Sequence, residues 1–148
     1  MRFVIQRVRE AAVRVEGEII GQIQQGYLVL AGYSRTDQQK DADRLVRKLL
    51  GLRIFEDGEG KTNLSLRDVG GSLLFVSQFT LYADCKRGNR PSFTGAADPE
   101  QANALYDYTI SLLRPQVPDL ATGRFGAHME VSLVNDGPFT LLLDTERL

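Results

Sequence analysis

The sequence has few of the residues from which enzymes usually build a conventional catalytic site. Its 148 residues include one cysteine, one histidine and no tryptophan. A single cysteine excludes an intrachain disulfide and suits a reducing compartment. No cysteines and histidines have the spacing of zinc ligands, and the glycines do not fit the Walker or dinucleotide-binding loops. We therefore expect no metal and no cofactor.

Long apolar runs are also missing. No stretch approaches the length of a membrane span, and the first ten residues alternate charged and apolar side chains, unlike a signal or transit peptide. Hydrophobic residues make up 43% of the chain and charged residues 25%, an ordinary composition for a protein with a buried core. We expect a single cytoplasmic domain over residues 1–148, with no membrane partner.

Charge is nearly balanced over the whole chain but not along it. The net charge is −1, whereas residues 83–97 carry Lys86, Arg87 and Arg90 against the single acid Asp84. Such a basic loop suits one phosphate-bearing end of a ligand, and it is too small to follow a long DNA backbone. From charge alone, a solvated loop without any partner is an equal alternative.

Strand patterns dominate the hydrophobic periodicity. Residues 2–15 alternate apolar and polar side chains, a turn follows at 16–18, and the apolar run 27–33 fits a strand buried on both faces. Asp57-Gly58 predicts a tight hairpin turn within residues 52–66. Further strands are predicted at residues 73–83, 124–134 and 139–145. The string Asn-Asp-Gly-Pro at 135–138 predicts a turn between the last two.

Two helices are predicted. Thr36 with Gln39 forms the pattern of a capping box, and apolar residues then recur at helical spacing up to Gly51. Asp98 followed by proline predicts the start of a second helix, which ends before Pro115. Many strands with two separated helices predict an α+β fold, with a mostly antiparallel, barrel-like sheet covered by two main helices.

No conventional acid–base pair emerges from the sequence. His128 stands alone in strand-like sequence and is interpreted as a structural or surface residue. Cys85, beside basic residues, is a candidate nucleophile without a base. An enzyme built from this sequence would have to use backbone N–H groups, orientation and help from the substrate itself.

One polar segment follows a predicted buried strand. Ser77, Gln78, Phe79 and Thr80 lie where the apolar run ends and the basic loop begins, so they are candidates for a pocket rim. The alternative is a strand whose polar side chains face water while Phe79 faces the core.

Two motifs together indicate a family. VSQFTLYAD at 76–84, with PSF at 91–93, and VNDGPFT at 134–140 resemble the paired signatures of the D-aminoacyl-tRNA deacylases, the bacterial type also called D-tyrosyl-tRNA deacylase. The flanking segments are similar in the same order along the whole chain. The resemblance implies a homodimer of barrel-like subunits that hydrolyses the ester between a D-amino acid and the 3′-terminal adenosine of tRNA. Glycyl-tRNA is expected to be hydrolysed as well.

The resemblance also implies roles for the motif residues. Gly137 and Pro138 would form a cis peptide that reaches into the partner's pocket and rejects L-aminoacyl-tRNA, with Arg7 bracing it. The alternative for Arg7 is an exposed arginine on a strand. Backbone N–H groups near Phe79 and Thr80 would stabilise the oxyanion, and Thr80 is the alternative nucleophile. Because the sequence offers no base to activate the Thr80 hydroxyl, we favour assistance from the 2′-OH of the terminal ribose. The remaining assignments are Ser77 and Gln78 to the catalytic segment and Lys86, Arg87 and Arg90 to contacts with tRNA.

The chain departs from the family pattern at two positions. Phe139 stands where valine is common, and Cys85 stands where a small polar residue is usual; both changes affect local packing. Two alternatives to the deacylase stay open from the sequence. One is a non-catalytic module that binds the 3′ ends of aminoacyl-tRNA, and the other is a thiol-dependent enzyme that uses Cys85.

Overall fold

The computed structural model describes all 148 residues. It contains eight strands, two α-helices and a short 3-10 helix. Their bounds are β1 Arg2–Val15, β2 Glu18–Ile23, β3 Gly26–Gly32, α1 Gln39–Gly51, β4 Arg53–Glu56, β5 Thr62–Ser65, β6 Ser72–Ser77, the 3-10 helix Phe79–Tyr82, α2 Pro99–Leu113, β7 Leu120–Thr122 and β8 Glu130–Asp144. Neither helix is long and apolar enough to cross a membrane.

Strand β1 is the centre of the main sheet. One edge pairs antiparallel with β3 over the first half of the strand and with β2 over the second half, while β8 runs antiparallel along the other edge. Strands β3, β6 and β7 are parallel to one another, which the sequence did not predict. The reason is connectivity: α1 with the β4–β5 hairpin carries the chain from β3 back to β6, and α2 does the same between β6 and β7.

The sheet is nearly closed into a barrel. Its end strands β2 and β7 approach each other at Gly21, where an added Cβ would lie 2.9 Å from the carbonyl oxygen of Thr122 and 3.2 Å from the side chain of Val13. Glycine permits this close approach because it has no Cβ. The predicted barrel-like architecture with two helices is therefore confirmed, as a mixed sheet.

The two faces of the sheet bury two separate hydrophobic clusters. The larger cluster lies between sheet and helices, and in it Phe75 meets Phe3 edge-on at 5.4 Å and stacks on Tyr106 at 5.6 Å. The smaller cluster fills the opposite face and contains Val8, Ala11, Val13, Ile23, Leu28, Leu74 and Val76. Successive side chains of a strand point to opposite faces, so Phe75 serves one cluster while its neighbours Leu74 and Val76 serve the other.

The start of α1 differs from the prediction. The N-cap is Gln38, whose backbone N–H donates to the Asp41 carboxylate at 2.8 Å. Thr36 is not the cap because the chain is still in a turn there, closed by Asp37, whose carboxylate accepts the backbone N–H of Ser34 at 2.6 Å. The prediction for α2 is confirmed, since Asp98 accepts the N–H of Gln101 at 3.0 Å.

The β4–β5 hairpin exists, but the predicted two-residue turn at Asp57-Gly58 is wrong. The loop spans residues 57–61, and Gly60 is its residue with positive φ. The Asp57 carboxylate accepts backbone N–H groups of Glu59 at 2.9 Å and Lys61 at 3.0 Å. These bonds lower the pKa of Asp57. The hydrogen bonds of this carboxylate, and not a tight two-residue turn, therefore hold the loop.

The predicted turn at 135–138 is also wrong, because the chain continues through it as part of β8. Val8 pairs with Asn135 and Gln6 with Thr140, so residues 136–139 stand opposite Arg7 alone. The neighbouring strand β1 keeps the chain extended, and the surplus residues form a bulge of the kind often found beside functional sites. Residues 124–129, predicted as strand, precede β8, and β6 ends at Ser77 rather than near residue 83.

Candidate functional site

The bulge of β8 presents a Gly-Pro pair at the protein surface. The peptide bond between Gly137 and Pro138 is cis, the geometry that the family resemblance implied. Both residues are exposed. A Cβ added to Gly137 would meet only the side-chain amide of Asn135, at 3.7 Å, so the surroundings within the chain are open.

Arg7 holds this bulge from below. Its Nε donates to the backbone carbonyl of Asp136 and its Nη2 to that of Gly137, both at 3.0 Å. Its Nη1 donates to the carbonyl of Ile54 at 2.5 Å. Arg7 is only 4% exposed, so the guanidinium is a buried clamp on the bulge.

Three features compensate the buried charge of Arg7. The carboxylate of Asp136 lies 3.3 Å from its Nε, and the carbonyls of Asp136, Gly137 and Ile54 each accept one hydrogen bond from the guanidinium. The centroid of the Phe139 ring lies 4.5 Å from the guanidinium carbon, a cation–π contact. Phe139 thus packs against the clamp.

The Ser77–Thr80 segment forms the transition from β6 to the 3-10 helix. The backbone N–H of Gln78 still donates to Ala31 on β3, at 2.7 Å, and the chain then coils. Phe79 is 56% exposed, so the alternative that its ring faces the core is wrong. The Nε2 of Gln78 donates to the hydroxyl oxygen of Thr80 at 2.5 Å.

The backbone N–H groups of Phe79 and Thr80 open the 3-10 helix, where the first amides have no partner within the helix. Neither donates to a loop carbonyl or to a side chain. No carboxylate or imidazole contacts the Thr80 hydroxyl. Burial raises the pKa of the nearby Tyr82 hydroxyl, which keeps it neutral. The segment therefore offers two free N–H donors and no side-chain base.

The Gly-Pro pair and the Ser77–Thr80 segment are separate within one chain. Arg2 donates to the carbonyl of Leu81 at 2.9 Å and so ties the 3-10 helix to the start of β1, whereas the Gly-Pro pair is tied to Arg7. Arg2 and Arg7 are five residue steps apart on β1, a length of extended strand that spans about 17 Å. No hydrogen bond or ion pair joins the two segments directly.

The basic loop after the 3-10 helix is closed at its base by two backbone hydrogen bonds between Asp84 and Ser92, at 2.7 and 2.9 Å. Its three cations are exposed and make no ion pair with the protein; they are Lys86, Arg87 and Arg90. Cys85 is exposed on the same loop. His128 is exposed and makes no hydrogen bond, in keeping with a surface residue.

Sequence reasoning did not single out Phe93 as a site residue. The structure brings its ring to 5.1 Å from that of Phe79, in an edge-to-face arrangement. The available signal was its place in the PSF string of the first motif. A cavity of about 590 Å³ lies elsewhere, between the C-terminal ends of both helices, and none of the candidate residues lines it. No three His, Cys, Asp or Glu side chains are grouped to hold a metal ion.

The chain is similar to known proteins over nearly its whole length. A family model described as D-Tyr-tRNA(Tyr) deacylase matches residues 4–144. A protein of Stutzerimonas stutzeri named D-aminoacyl-tRNA deacylase is 57% identical over 98% of this chain and 100% of its own length. A protein of Thermosipho melanesiensis with the same name is 53% identical over 100% and 99%.

Solved structures with the same fold are also known. A structure described as the c-Myc DNA Unwinding Element Binding Protein is 42% identical, with a TM-score of 0.93 over 98% of this chain and 99% of that one. A structure described as a probable eukaryotic D-amino acid tRNA deacylase has a TM-score of 0.82 over 96% and 97% at 18% identity, which shows the fold alone.

Proposed function

Because this chain belongs to the D-Tyr-tRNA(Tyr) deacylase family, we propose that it hydrolyses the ester that joins a D-amino acid to the 3′-terminal adenosine of tRNA. The chain is an enzyme of the D-aminoacyl-tRNA deacylase class, a carboxylic ester hydrolase. The observation that carries the proposal is identity of more than half with deacylases over essentially the whole chain, both motifs included. The cytoplasm, where aminoacyl-tRNA is used, is the proposed location.

The free N–H groups of Phe79 and Thr80 support a mechanism without a side-chain base. Water attacks the ester carbonyl, and the two N–H groups stabilise the negative charge that develops on its oxygen. The bond between the carbonyl carbon and the 3′-oxygen then breaks, and the 3′-oxygen takes up the proton that the attacking water loses, yielding the free D-amino acid and tRNA. This proton transfer needs assistance, and the segment Ser77–Thr80 offers no base. We therefore assign the assistance to the 2′-OH of the substrate's own ribose.

The Gly-Pro pair is proposed to select the substrate by exclusion. The carbonyl of Gly137 accepts one hydrogen bond from Arg7, which fixes its direction and leaves a second lone pair for a substrate amino group. Rigid backbone at this point leaves no room for an L side chain, whereas a D side chain projects elsewhere. The same selector cannot reject glycine, which has no side chain.

The separation of the two segments supports a homodimer. Within one chain the Gly-Pro pair and the 3-10 helix are anchored about 17 Å apart along β1, by strand geometry. An exposed Gly-Pro pair therefore completes a site most simply by reaching the Ser77–Thr80 segment of a second copy. The acceptor end of tRNA would then contact the basic loop through its phosphates, at Lys86, Arg87 and Arg90.

The first experiment compares the deacylation of D-tyrosyl-, L-tyrosyl- and glycyl-tRNA by the purified protein. We expect rapid loss of the D-tyrosyl and glycyl esters while the L-tyrosyl ester persists. Survival of all three esters would refute the enzyme and favour a non-catalytic module that binds aminoacyl-tRNA ends. Equal loss of all three would refute the selector while keeping the hydrolase.

Gly137→Ala tests the selector and the dimer together. The open surroundings of Gly137 predict an unchanged free energy of unfolding, so a loss of D-specific activity reports on the site itself. Mixing this variant with a Phe79→Pro variant, which removes the proposed N–H donor at the first position of the 3-10 helix, forms dimers with one intact composite site. If half of the dimers are mixed, activity recovers to about a quarter of the wild-type value. No recovery, with mixed dimers verified by mass, would place both segments in one subunit.

A further inference from the structure

Two of the large exposed hydrophobic side chains of the molecule form a pair beside the proposed site. Phe79 is 56% exposed and Phe93 is 37% exposed, and their ring centroids lie 5.1 Å apart at an interplanar angle of 68°. Single exposed hydrophobic residues are ordinary on protein surfaces. A touching aromatic pair next to three unpaired cations is instead the composition of a surface that binds single-stranded nucleic acid.

Phe93 is held between two backbone anchors. On its N-terminal side Ser92 is paired with Asp84, and on its C-terminal side the N–H of Ala96 donates to the carbonyl of Phe93 itself at 3.0 Å. The next N–H, that of Ala97, donates to the carbonyl of Tyr33 at 2.9 Å and ties the segment to the end of β3. The ring is therefore presented by a fixed backbone, which lowers the entropy lost when a ligand binds.

A cavity of about 510 Å³ lies against Phe93. It is lined by Arg35, Phe93, Ala96, Ala97, Asp98 and Gln101. Its volume falls within the usual range for small-ligand sites, and its wall combines an aromatic ring and two methyl groups with one cation. The shape offers an apolar surface for a base and a positive charge for a phosphate.

Arg35 supplies the positive charge of this cavity. Its Nε makes one long hydrogen bond, 3.4 Å, to the carbonyl of Ala96, and its guanidinium has no ion pair. The acid that lines the cavity, Asp98, is occupied as the cap of α2 through the N–H of Gln101. The guanidinium thus keeps donors available for a phosphate.

We propose that Phe93 and Arg35 form a subsite for the nucleotide that precedes the terminal adenosine, with its base on the Phe93 ring and its phosphate at Arg35. This rests on the proposed function, because that function places the terminal adenosine ester at the Phe79 amide. The polynucleotide leaving that point meets Phe93, which touches Phe79, before it reaches open solvent. Phe93 is thereby a positioning residue for tRNA and takes no part in the chemical step.

The test uses two substrates that differ only on the 5′ side of the terminal adenosine. D-Tyrosyl-tRNA carries the preceding nucleotide, and D-tyrosyl-adenosine does not. For the wild type, kcat/KM is expected to be higher with the tRNA. Phe93→Leu should lower that preference roughly tenfold through KM, the size expected for one lost base stack, and Phe93→Trp should retain it. Arg35→Gln should lower the preference as well, and Thr94→Ala, on the same loop, should leave it unchanged.

A direct binding measurement complements the kinetics. The dinucleotide cytidylyl-adenosine should bind the wild type more tightly than adenosine does, and Phe93→Leu should remove the difference. An equal loss of kcat/KM with both substrates would overturn the proposal, since Phe93 would then act only by supporting Phe79. An unchanged preference would overturn it too. If the wild type hydrolyses neither substrate, the proposed function itself is refuted.

Discussion

Arg7 carries a full positive charge at a position that is 4% exposed, and each nitrogen of its guanidinium contacts a group of the same chain. A buried guanidinium without hydrogen-bond partners would lower the free energy of unfolding, and removal of the arginine would leave its buried partners unpaired. The partners are backbone carbonyls of the bulge, so the side chain fixes backbone directions. One residue of β1 thus determines how Gly137 is presented.

Arg7→Met tests this clamp. The variant keeps much of the side-chain volume but removes the hydrogen bonds to the carbonyls of Asp136, Ile54 and Gly137, so we expect a loss of about 2–4 kcal/mol in the free energy of unfolding. Urea unfolding measures the stability. In buffer without urea, the rate of D-tyrosyl-tRNA deacylation should fall at least tenfold.

The matched control is Arg9→Met. Arg9 approaches the same aspartate, with its Nε 3.9 Å from a carboxylate oxygen, but its side chain is 77% exposed. Its removal should change stability by less than about 1 kcal/mol, as for exposed ion pairs. Equal effects of the two substitutions would show that the charge near Asp136, and not the buried clamp, is what matters.

Thr80→Ala tests whether a side chain or the backbone carries the chemistry. The Thr80 hydroxyl contacts only the amide of Gln78, whereas its backbone N–H is free, so we expect measurable turnover in the variant. Single-turnover deacylation, with circular dichroism to verify the fold, is the measurement. Complete loss in a folded variant would make Thr80 a nucleophile.

Cys85→Ser should have almost no effect, and inactivation would support the thiol-dependent alternative.

At the scale of elements, β1 organises the molecule by pairing with three strands. Strands β3 and β2 share one edge of β1, and β8 occupies the other edge across the bulge opposite Arg7. Both functional segments depend on this strand, because Arg2 ties the 3-10 helix to its start and Arg7 ties the Gly-Pro pair to its middle. The rigidity of β1 therefore sets the distance between these two segments within one chain.

Gly21→Ala tests the closure of the barrel. The new methyl group would lie 2.9 Å from the carbonyl oxygen of Thr122, so β2 and β7 must separate, and we expect a loss of about 1–3 kcal/mol. Gly51→Ala is the control, because no atom lies within 4 Å of its added Cβ, and a gain of roughly 0.5–1 kcal/mol is expected in a helix. Thermal unfolding of both variants decides; equal melting temperatures would contradict the close approach.

At the scale of the whole molecule, tyrosine burial ties the fold to pH. Burial raises the pKa of Tyr27, Tyr33, Tyr82 and Tyr106 above the ordinary value near 10. These hydroxyls stay neutral in the folded protein at a pH where they ionise in the unfolded chain. Their contribution to stability is complete below about pH 10 and is lost as the pH rises through their folded pKa values.

An alkaline titration followed at 295 nm checks this. Tyr108, whose hydroxyl donates to Asp43 at 2.8 Å, is the least enclosed tyrosine and should ionise before the others. The four buried tyrosines should ionise together, in the same pH interval in which far-ultraviolet circular dichroism reports unfolding. Gradual ionisation of all five tyrosines in a folded protein would contradict their burial.

Much of this architecture is already present in the sequence. Period-2 alternation in residues 2–15 and the aspartate–proline pair before α2 fix local structure through side-chain direction and capping, which act over a few residues. The resemblance of both motifs to the deacylases predicted the family, and it implied the cis geometry that the structure has at Gly137. Other local signals were misleading: Thr36 does not cap α1, and Asp57-Gly58 is part of a longer loop.

Tertiary structure decided what depends on partners distant in the chain. The Asn-Asp-Gly-Pro string reads as a turn by itself, but β1 keeps it in a strand because Gln6 and Val8 hold both ends of the bulge. Arg7 reads as an exposed strand residue until that bulge covers it, and Phe93 acquires a role only when folding brings it against Phe79. Backbone hydrogen bonds and burial across more than a hundred residues cannot be read from neighbours, and they are what build this site.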